Sequence, residues 1–490
     1  MTYDVIIIGG GVVGCAVARE LARCRLSVAL LEKTADVCNG QSKANSAVVH
    51  AGYDAKPGSN KARFNVRGNA MFEGVCRELD VPFCRNGSLV VSFSENGHGA
   101  LEELLNRGRE NGVPGLRILG EDELRKKEPN LGSKAKEALW APTGAITCPY
   151  ELTEAYAENA AANGVAFLRE TEALSITSAP PSMNQEGGYL IRTNRGDFTA
   201  RAVVNCAGVH SDALNNMVSD KKFHITPRRG QYYLVDKAYR GAFTSTVFQL
   251  PTKMGKGVLV APTVDGTILL GPTAEDLDEK DDRRTTAQGL ASVLERASLT
   301  WENIPPRAFI TTFAGNRAHA DADDFILGEA EDAPLFFNAG GVESPGLTSA
   351  PALGVYLAEA VASALGADKK SDFDPIRRGL KKFREMNGAE RAEAIAQNPD
   401  YARIVCRCEN VTEAEIRHAI RGPVGARTVD GVKRRTRAGM GRCQAGFCLT
   451  RTMEILAQEL GVSETEVTKC GGASRLVTGG IFDEREGGAQ

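Results

Sequence analysis

No stretch of about 18 consecutive apolar residues occurs in this chain, so no membrane-spanning helix is expected. Neither sign of charge dominates either. The 59 Lys and Arg against 62 Asp and Glu leave a net charge of −3, which gives no sign of a nucleic-acid surface. No internal repeat or low-complexity tract stands out. The chain opens directly on a strand, so no signal peptide is expected and the cytoplasm is the expected compartment, with peripheral contact at the inner face of the membrane left open. What remains is an ordinary globular composition over 490 residues, enough for two or three domains and a large core. Its 12 cysteines are many for an intracellular chain. Seven are scattered and read as buried free thiols. The last five lie between Cys406 and Cys470, and that clustering is informative.

The chain is organised around its first 33 residues. Val5-Ile6-Ile7-Ile8 is a β-branched run suited to a strand buried on both faces. Gly9, Gly11 and Gly14 then fit the dinucleotide fingerprint. The first glycine permits the turn, the second lets a pyrophosphate approach the backbone, and the third lets helix and strand pack closely. The helical pattern from Val12 to Cys24 would offer its free N–H groups and positive dipole end to that pyrophosphate. A second strand, Ser27 to Leu31, ends at Glu32, whose carboxylate suits ribose hydroxyls. Lys33 follows it. The small polar loop beyond, with Ser42, Asn45 and Ser46, lets a flat ligand approach the backbone. It runs into His50.

Further along, Asn60 to Leu79 predicts an amphipathic helix, Gly87 to Phe93 a strand, and Pro149 to Asn163 a helix ended by Gly164. Tyr189 to Thr193 and Asp197 to Ala200 predict a hairpin, followed by a separate buried strand, Ala202 to Asn205, leading to Gly208. From Phe223 to about Ala314 the pattern is strand-rich. Leu335 to Asn338 returns to a core strand, followed by Gly340, the Ser344–Thr348 segment with Gly346 and Leu347, and a helix from Ala350 to Leu365. Residues 367–399 are charged and helix-prone, as for a linker or covering arm.

The tail carries Cys406-Arg407-Cys408 and, 34 residues on, Cys443 and Cys448 as C-x4-C. Two pairs of thiolates suit a 2Fe–2S cluster with two ligands per iron, and they also suit tetrahedral zinc. Thr412 and Glu415 form a capping box before a helix reaching Ile420, and Thr450 to Leu460 reads as another. Cys470 lies outside the motif.

Gly9 to Gly14 with Glu32, Val203 to Asp212 and Gly340 to Thr348, in this order, resemble the flavoproteins of the D-amino acid oxidase-like superfamily. The resemblance implies FAD rather than NAD, with Gly340 to Thr348 near the flavin ring and the helix beyond it stabilising negative charge on the reduced flavin. The phrase from Gly439 to Cys448 resembles the bacterioferritin-associated-ferredoxin-like domain, in which these four cysteine positions hold a 2Fe–2S cluster. The expected fold is therefore α/β. Residues 1–80, 146–222 and 326–366 would form a Rossmann-like FAD-binding domain, and 81–145 and 223–325 an inserted β-rich substrate domain. Residues 367–400 would be a linker, 401–461 a small helical iron–sulfur domain, and 462–490 a tail.

Such flavoproteins oxidise a C–H next to OH or NH, a base taking the heteroatom proton. Family members carry a histidine facing the flavin at the position of His50, and an anion-binding arginine at that of Arg317. A guanidinium suits phosphate or carboxylate bidentately. His319 is a second base candidate, and Arg228 and Arg229 are further anion candidates. The cluster domain and Gly341 to Thr348 resemble the large subunit of anaerobic glycerol-3-phosphate dehydrogenases. His50 to Tyr53 and Lys56 to Ala62 resemble L-2-hydroxyglutarate oxidases, and Tyr53-Asp54 depart from the arginine usual in the former. Both readings give a small anionic secondary alcohol as substrate. The first also implies a second flavoprotein subunit, or another electron acceptor, as partner. An amine or opine dehydrogenase is the rival enzyme class, and a zinc-bound docking module on a flavin scaffold the non-enzymatic one.

Overall fold

The computed structural model describes residues 1–179, 187–250 and 257–479; the end of the expected 462–490 tail lies outside the described residues. The chain forms two units, one of residues 1–33 and 37–379, the other of 34–36 and 380–490.

The first unit is built on the expected opening strand, Thr2–Ile8, whose Val5 to Ile8 are buried. Val28–Glu32 lies parallel on one side of it and Gly196–Asn205 on the other. Ala166–Arg169 and Ala333–Gly340 extend the parallel array outward. The hairpin and the buried strand expected as separate pieces are one strand, Gly196–Asn205, because no turn-forming residue lies between Ala200 and Ala202. Its first half pairs antiparallel with Tyr189–Thr193 and its end runs parallel to Ala333–Gly340. Ile6, Leu31, Val203 and Phe336 fill one face of the sheet, each such burial contributing about 1.5–3 kcal/mol. Beyond the carboxyl ends of these strands come Gly9, Lys33, Gly208 and Gly341 in turn, so the glycine segments gather where a parallel sheet binds its ligands.

Helix Gly346–Leu365 packs between Val12–Leu21 and Asn60–Leu79. It opens four residues earlier than expected, since the Ser349 N–H already donates to the Pro345 carbonyl at 3.0 Å. The segment read as helix-prone is mostly extended up to residue 379. Its backbone is held instead by the edge of the nucleotide fold. Lys370 N–H donates to Arg23 O, and the buried Arg19 guanidinium donates to Pro375 O while pairing with Glu20 and Glu78.

A second sheet joins strands from two stretches, Ser88–Ser92, Arg117–Leu119 and Glu137–Ala141 with those between 225 and 320. Ile225–Val235 and Phe309–Ala320 are its long antiparallel pair, with Arg228 opposite Arg317, Thr226 opposite His319, and Tyr232 opposite Phe313. Partners in register share a face, so Arg228, Tyr232, Arg317 and His319 all project from one side.

The second unit packs helices Glu413–Arg421, Val429–Thr436 and Leu449–Leu460 around Ile416, Val432, Ile455 and Leu456. The capping box is made as expected: Thr412 N–H donates to Glu415 at 2.7 Å, and the Thr412 hydroxyl accepts from the Glu415 N–H. Helix Val429–Thr436 was not signalled, its Lys433-Arg434-Arg435 run masking a short apolar face. Helix Gly388–Gln397 is the ten-residue remnant of the expected covering arm.

Candidate active site

His50 follows a short strand, Val48–Val49, that pairs with Ala145–Thr147. It is gripped from two directions. The buried Asn65 and Asn69, one helical turn apart on Asn60–Leu79, donate to its carbonyl at 2.8 and 3.0 Å. Its own N–H donates to the Thr348 hydroxyl at 2.9 Å, and its imidazole Nε2 lies 3.3 Å from the Ser344 hydroxyl. A Cβ on Gly68 would strike the Thr348 carbonyl, so only glycine lets the helix lie this close to the loop.

Ser344 belongs to a loop anchored by its neighbour. Glu343, with its side chain 10% exposed, accepts from Lys61 Nζ and from His319 Nδ1, each at 2.9 Å. Burial would push this carboxyl up, but the His319 hydrogen bond and the Lys61 ammonium hold it down at about 2. Lys61 Nζ also meets Asp323 at 3.1 Å. The ligand atoms of His319, Asp323 and Glu343 lie within 4.8 Å of one another, a spacing that suits a metal, yet the Lys61 ammonium already supplies the positive charge there. Asp324 accepts from the N–H groups of Asn60 and Lys61 at 2.9 Å, fixing the helix start with a negative charge.

Arg317 is half-buried and donates to the Thr273 carbonyl at 3.2 Å. The buried Tyr232 phenol lies within reach of both Arg317 and Ser46. Burial raises that phenol's pKa, with Arg317 opposing. Arg228 pairs in a fork with Asp276 at 2.6 and 3.0 Å. Arg229 points to the other face, buried against Glu275 and Asp282, and is structural.

At the strand ends, Gly9 takes φ +113°, and a Cβ on Gly14 would overlap the Gly9 carbonyl oxygen. Helix and strand therefore meet with no side chain between them, leaving the turn open to a ligand. Glu32 accepts from the Gly10 N–H at 2.8 Å, and the Ser42 hydroxyl accepts from the Val12 N–H at 2.9 Å. Gly11 faces that same hydroxyl. Asn45 is turned into its own loop, donating to Ser42 O and accepting from Ala47 N–H. Lys33 reaches His210 at 3.1 Å. Gly208 takes φ +58° with open space at its missing Cβ. Gly340 lies against Phe223, Gly346 against Val342, and Leu347 is half-buried in the first turn of its helix.

In the second unit the Cys408 and Cys443 sulfurs are 3.5 Å apart, and Cys406 hydrogen-bonds with Cys448. Each spatial pair therefore draws one cysteine from each sequence motif. The contact between Cys406 and Cys448 lowers the Cys406 thiol and raises that of Cys448, and backbone N–H groups of Gly439 and Glu409 also point at the Cys406 sulfur. This is the environment a metal-bound thiolate needs. Cys470 is half-buried and belongs to neither pair, and of the scattered cysteines only Cys84 is exposed.

Residues 4–360 match the family of FAD dependent oxidoreductases, and residues 404–458 match the BFD-like [2Fe-2S] binding domain. The chain belongs to the FAD dependent oxidoreductase family. A glycerol 3-phosphate dehydrogenase of Caloramator mitchellensis is 49% identical over 97% of this chain and 98% of its own length. The FAD-bound, dithionite-reduced L-alpha-glycerophosphate oxidase of Mycoplasma pneumoniae superposes with a TM-score of 0.73 at 31% identity, covering 78% of this chain and all of that one. A mitochondrial L-2-hydroxyglutarate dehydrogenase of Bos taurus is 31% identical over 56% of this chain and 61% of its own.

This oxidoreductase thus uses FAD and a 2Fe–2S cluster, and the NAD and zinc alternatives fall away. The chain fits both groups: Gly9 and Gly14 let strand and helix meet with no side chain between them, as the dinucleotide turn requires, and the four cysteines are paired, with backbone donors at Cys406. Sequence reasoning missed Asn65, Asn69, Tyr232, Glu343 and the roles of Lys61 and Ser344. Asn65 and Asn69 did leave a signal, two amides at i and i+4 on the buried face of an amphipathic helix. Among the described residues no helix is long and apolar enough to cross a membrane.

Proposed function

We propose that this protein oxidises sn-glycerol 3-phosphate to dihydroxyacetone phosphate. One observation carries the reading: Arg228 and Arg317 project from the same face of the sheet as Tyr232, whose phenol lies near Arg317 and near Ser46, four residues before His50, so an anion-binding guanidinium and a proton acceptor flank one site. Arg317 binds the phosphate, with Arg228 beside it on the same face. His50 takes the C2 hydroxyl proton, its Nε2 oriented by Ser344 and its backbone fixed by Thr348, Asn65 and Asn69. FAD supplies the hydride acceptor and the cluster a one-electron carrier. Gly9, Gly11, Gly14, Glu32, Lys33, Ser42, Asn45, Ser46, Gly208, Gly340, Gly346, Leu347 and Thr348 are the cofactor-site residues in this reading, with Asn45 and Thr348 acting by shaping the loop. Cys406, Cys408, Cys443 and Cys448 hold the cluster. The near full-length likeness to the Caloramator mitchellensis protein supports the substrate.

The departure at Tyr53 weighs little against phosphate, because Tyr53 is buried with Val90, Leu104 and Leu116 and packs the core. Electrons leave to a separate acceptor, in this reading a second flavoprotein subunit. The protein works in the cytoplasm or at the inner membrane face, where the cysteines outside the cluster stay reduced. Anaerobic titration tests the substrate. Glycerol 3-phosphate is expected to bleach the flavin band and then the cluster absorbance, and bleaching by L-2-hydroxyglutarate alone would overturn the reading.

A further inference from the structure

His50 is held by hydrogen bonds with Asn65 and Asn69 on one side and with Ser344 and Thr348 on the other, the last two lying where the loop of residues 343–345 runs into helix Gly346–Leu365. That loop is pinned at its first residue. Glu343 ties it to Lys61 on the helix bearing Asn65 and Asn69, and to His319 on the strand bearing Arg317. One buried carboxylate therefore connects the three elements that position the proton acceptor and the anion site. A buried carboxylate costs free energy unless it is paired, and here both partners come from other elements. The arrangement costs nothing extra only while the loop sits where it does, so the ion pairs fix its position.

We propose that Glu343 is a positioning residue for His50, acting through Ser344 and Thr348 rather than on the substrate. The inference rests on the reading of His50 as proton acceptor. Glu343→Gln keeps the side-chain volume and an acceptor oxygen but loses the charge that holds Lys61 and His319 together.

The rate constant of flavin reduction is measured anaerobically at saturating substrate, with glycerol 3-phosphate or, if that fails, L-2-hydroxyglutarate. Glu343→Gln is expected to lower it about tenfold while the half-saturating concentration stays within about twofold. In a His50→Asn background the same change is expected to cost less than about twofold, because its route of action is already gone. Lys61→Gln, which leaves Glu343 with His319, is expected to give the same pattern at smaller size, and it serves if Glu343→Gln fails to fold. Equal losses in both backgrounds, a raised half-saturation with an unchanged rate, or no loss at all would overturn the proposal. A readout independent of turnover separates its failure from that of the substrate reading. The chain has six histidines, so the His50 imidazole signal can be assigned by difference with His50→Asn in histidine-labelled protein. That signal is expected to shift in Glu343→Gln, and an unmoved signal overturns the proposal whichever substrate reduces the flavin.

Discussion

The backbone N–H of His50 donates to the hydroxyl of Thr348, 298 positions further along the chain, at 2.9 Å. Thr348 has no exposed surface, and its hydroxyl is also 3.5 Å from the Val48 carbonyl. Thr348→Val keeps the shape and removes the acceptor. The His50 N–H then loses this acceptor, which is expected to cost about 1–3 kcal/mol and to lower the thermal midpoint by several degrees. Flavin reduction is expected to slow as well, because the lost bond bears on the proton acceptor. Unchanged melting and unchanged rate would show that the contact does not matter.

Arg317 and Arg229 lie only one register apart on paired strands, yet their removal is expected to do different things. Arg317→Ala removes a charge-assisted phosphate contact and is expected to raise the half-saturating substrate concentration about 100-fold. Arg229 is buried against Glu275 and Asp282, so Arg229→Ala removes a buried guanidinium and its charge-assisted hydrogen bonds and is expected to show in stability, by roughly 1.5–3 kcal/mol, with saturation little altered in the folded fraction. Saturation curves and thermal melts on the two variants separate these outcomes.

Glu343 makes a pH-dependent contribution to stability. Its folded value of about 2 lies below the ordinary 4.5, so the unfolded chain takes up the proton first. The contribution is whole above about 4.5 and is lost as pH falls through about 2, with an upper size of roughly 3 kcal/mol. The stability gap between wild type and Glu343→Gln is expected to narrow as pH falls below about 4.5 at fixed ionic strength. A gap that widens with acid would contradict the ion-pair account.

The features legible in the sequence are those whose physics is local. Gly9 and Gly14 are marked because a turn and a close helix–strand approach exclude a Cβ wherever the rest of the chain goes. The four cluster cysteines are marked by ligand chemistry and spacing. Helix Asn60–Leu79 spans the residues its periodicity predicts. What stayed hidden depends on distant partners. Glu343 looked like one letter of a glycine-rich loop until Lys61 and His319 were brought to it by two other elements. The cross-motif pairing of Cys408 with Cys443 is invisible in a linear spacing for the same reason. Arg228 and Arg229 could not be told apart before the strand's register put them on opposite faces.

The Gly9–Gly14 turn gives a sharp prediction because its tolerance is steric. In Gly14→Ala the new methyl would overlap the Gly9 carbonyl oxygen, and backbone on both sides must shift. The variant is expected to purify with little bound flavin while keeping its cluster absorbance. Full flavin occupancy in Gly14→Ala would remove this turn from the cofactor site.

The two-unit organisation predicts that the redox centres can be lost separately. Cys448 is buried beside Cys406 in the second unit, so Cys448→Ser removes a thiolate ligand and its partner contact there. Iron and labile sulfide are expected to fall to background, while the flavin stays bound and is still bleached by substrate at close to the wild-type rate. Transfer onward to a one-electron acceptor is expected to drop at least tenfold, since the flavin then lacks its one-electron outlet. Cys470→Ser, outside both pairs, is the control expected to change none of these readings. If Cys448→Ser also abolished substrate bleaching, the cluster would be needed for the first half-reaction, and the division of labour between hydride acceptor and electron relay would fail.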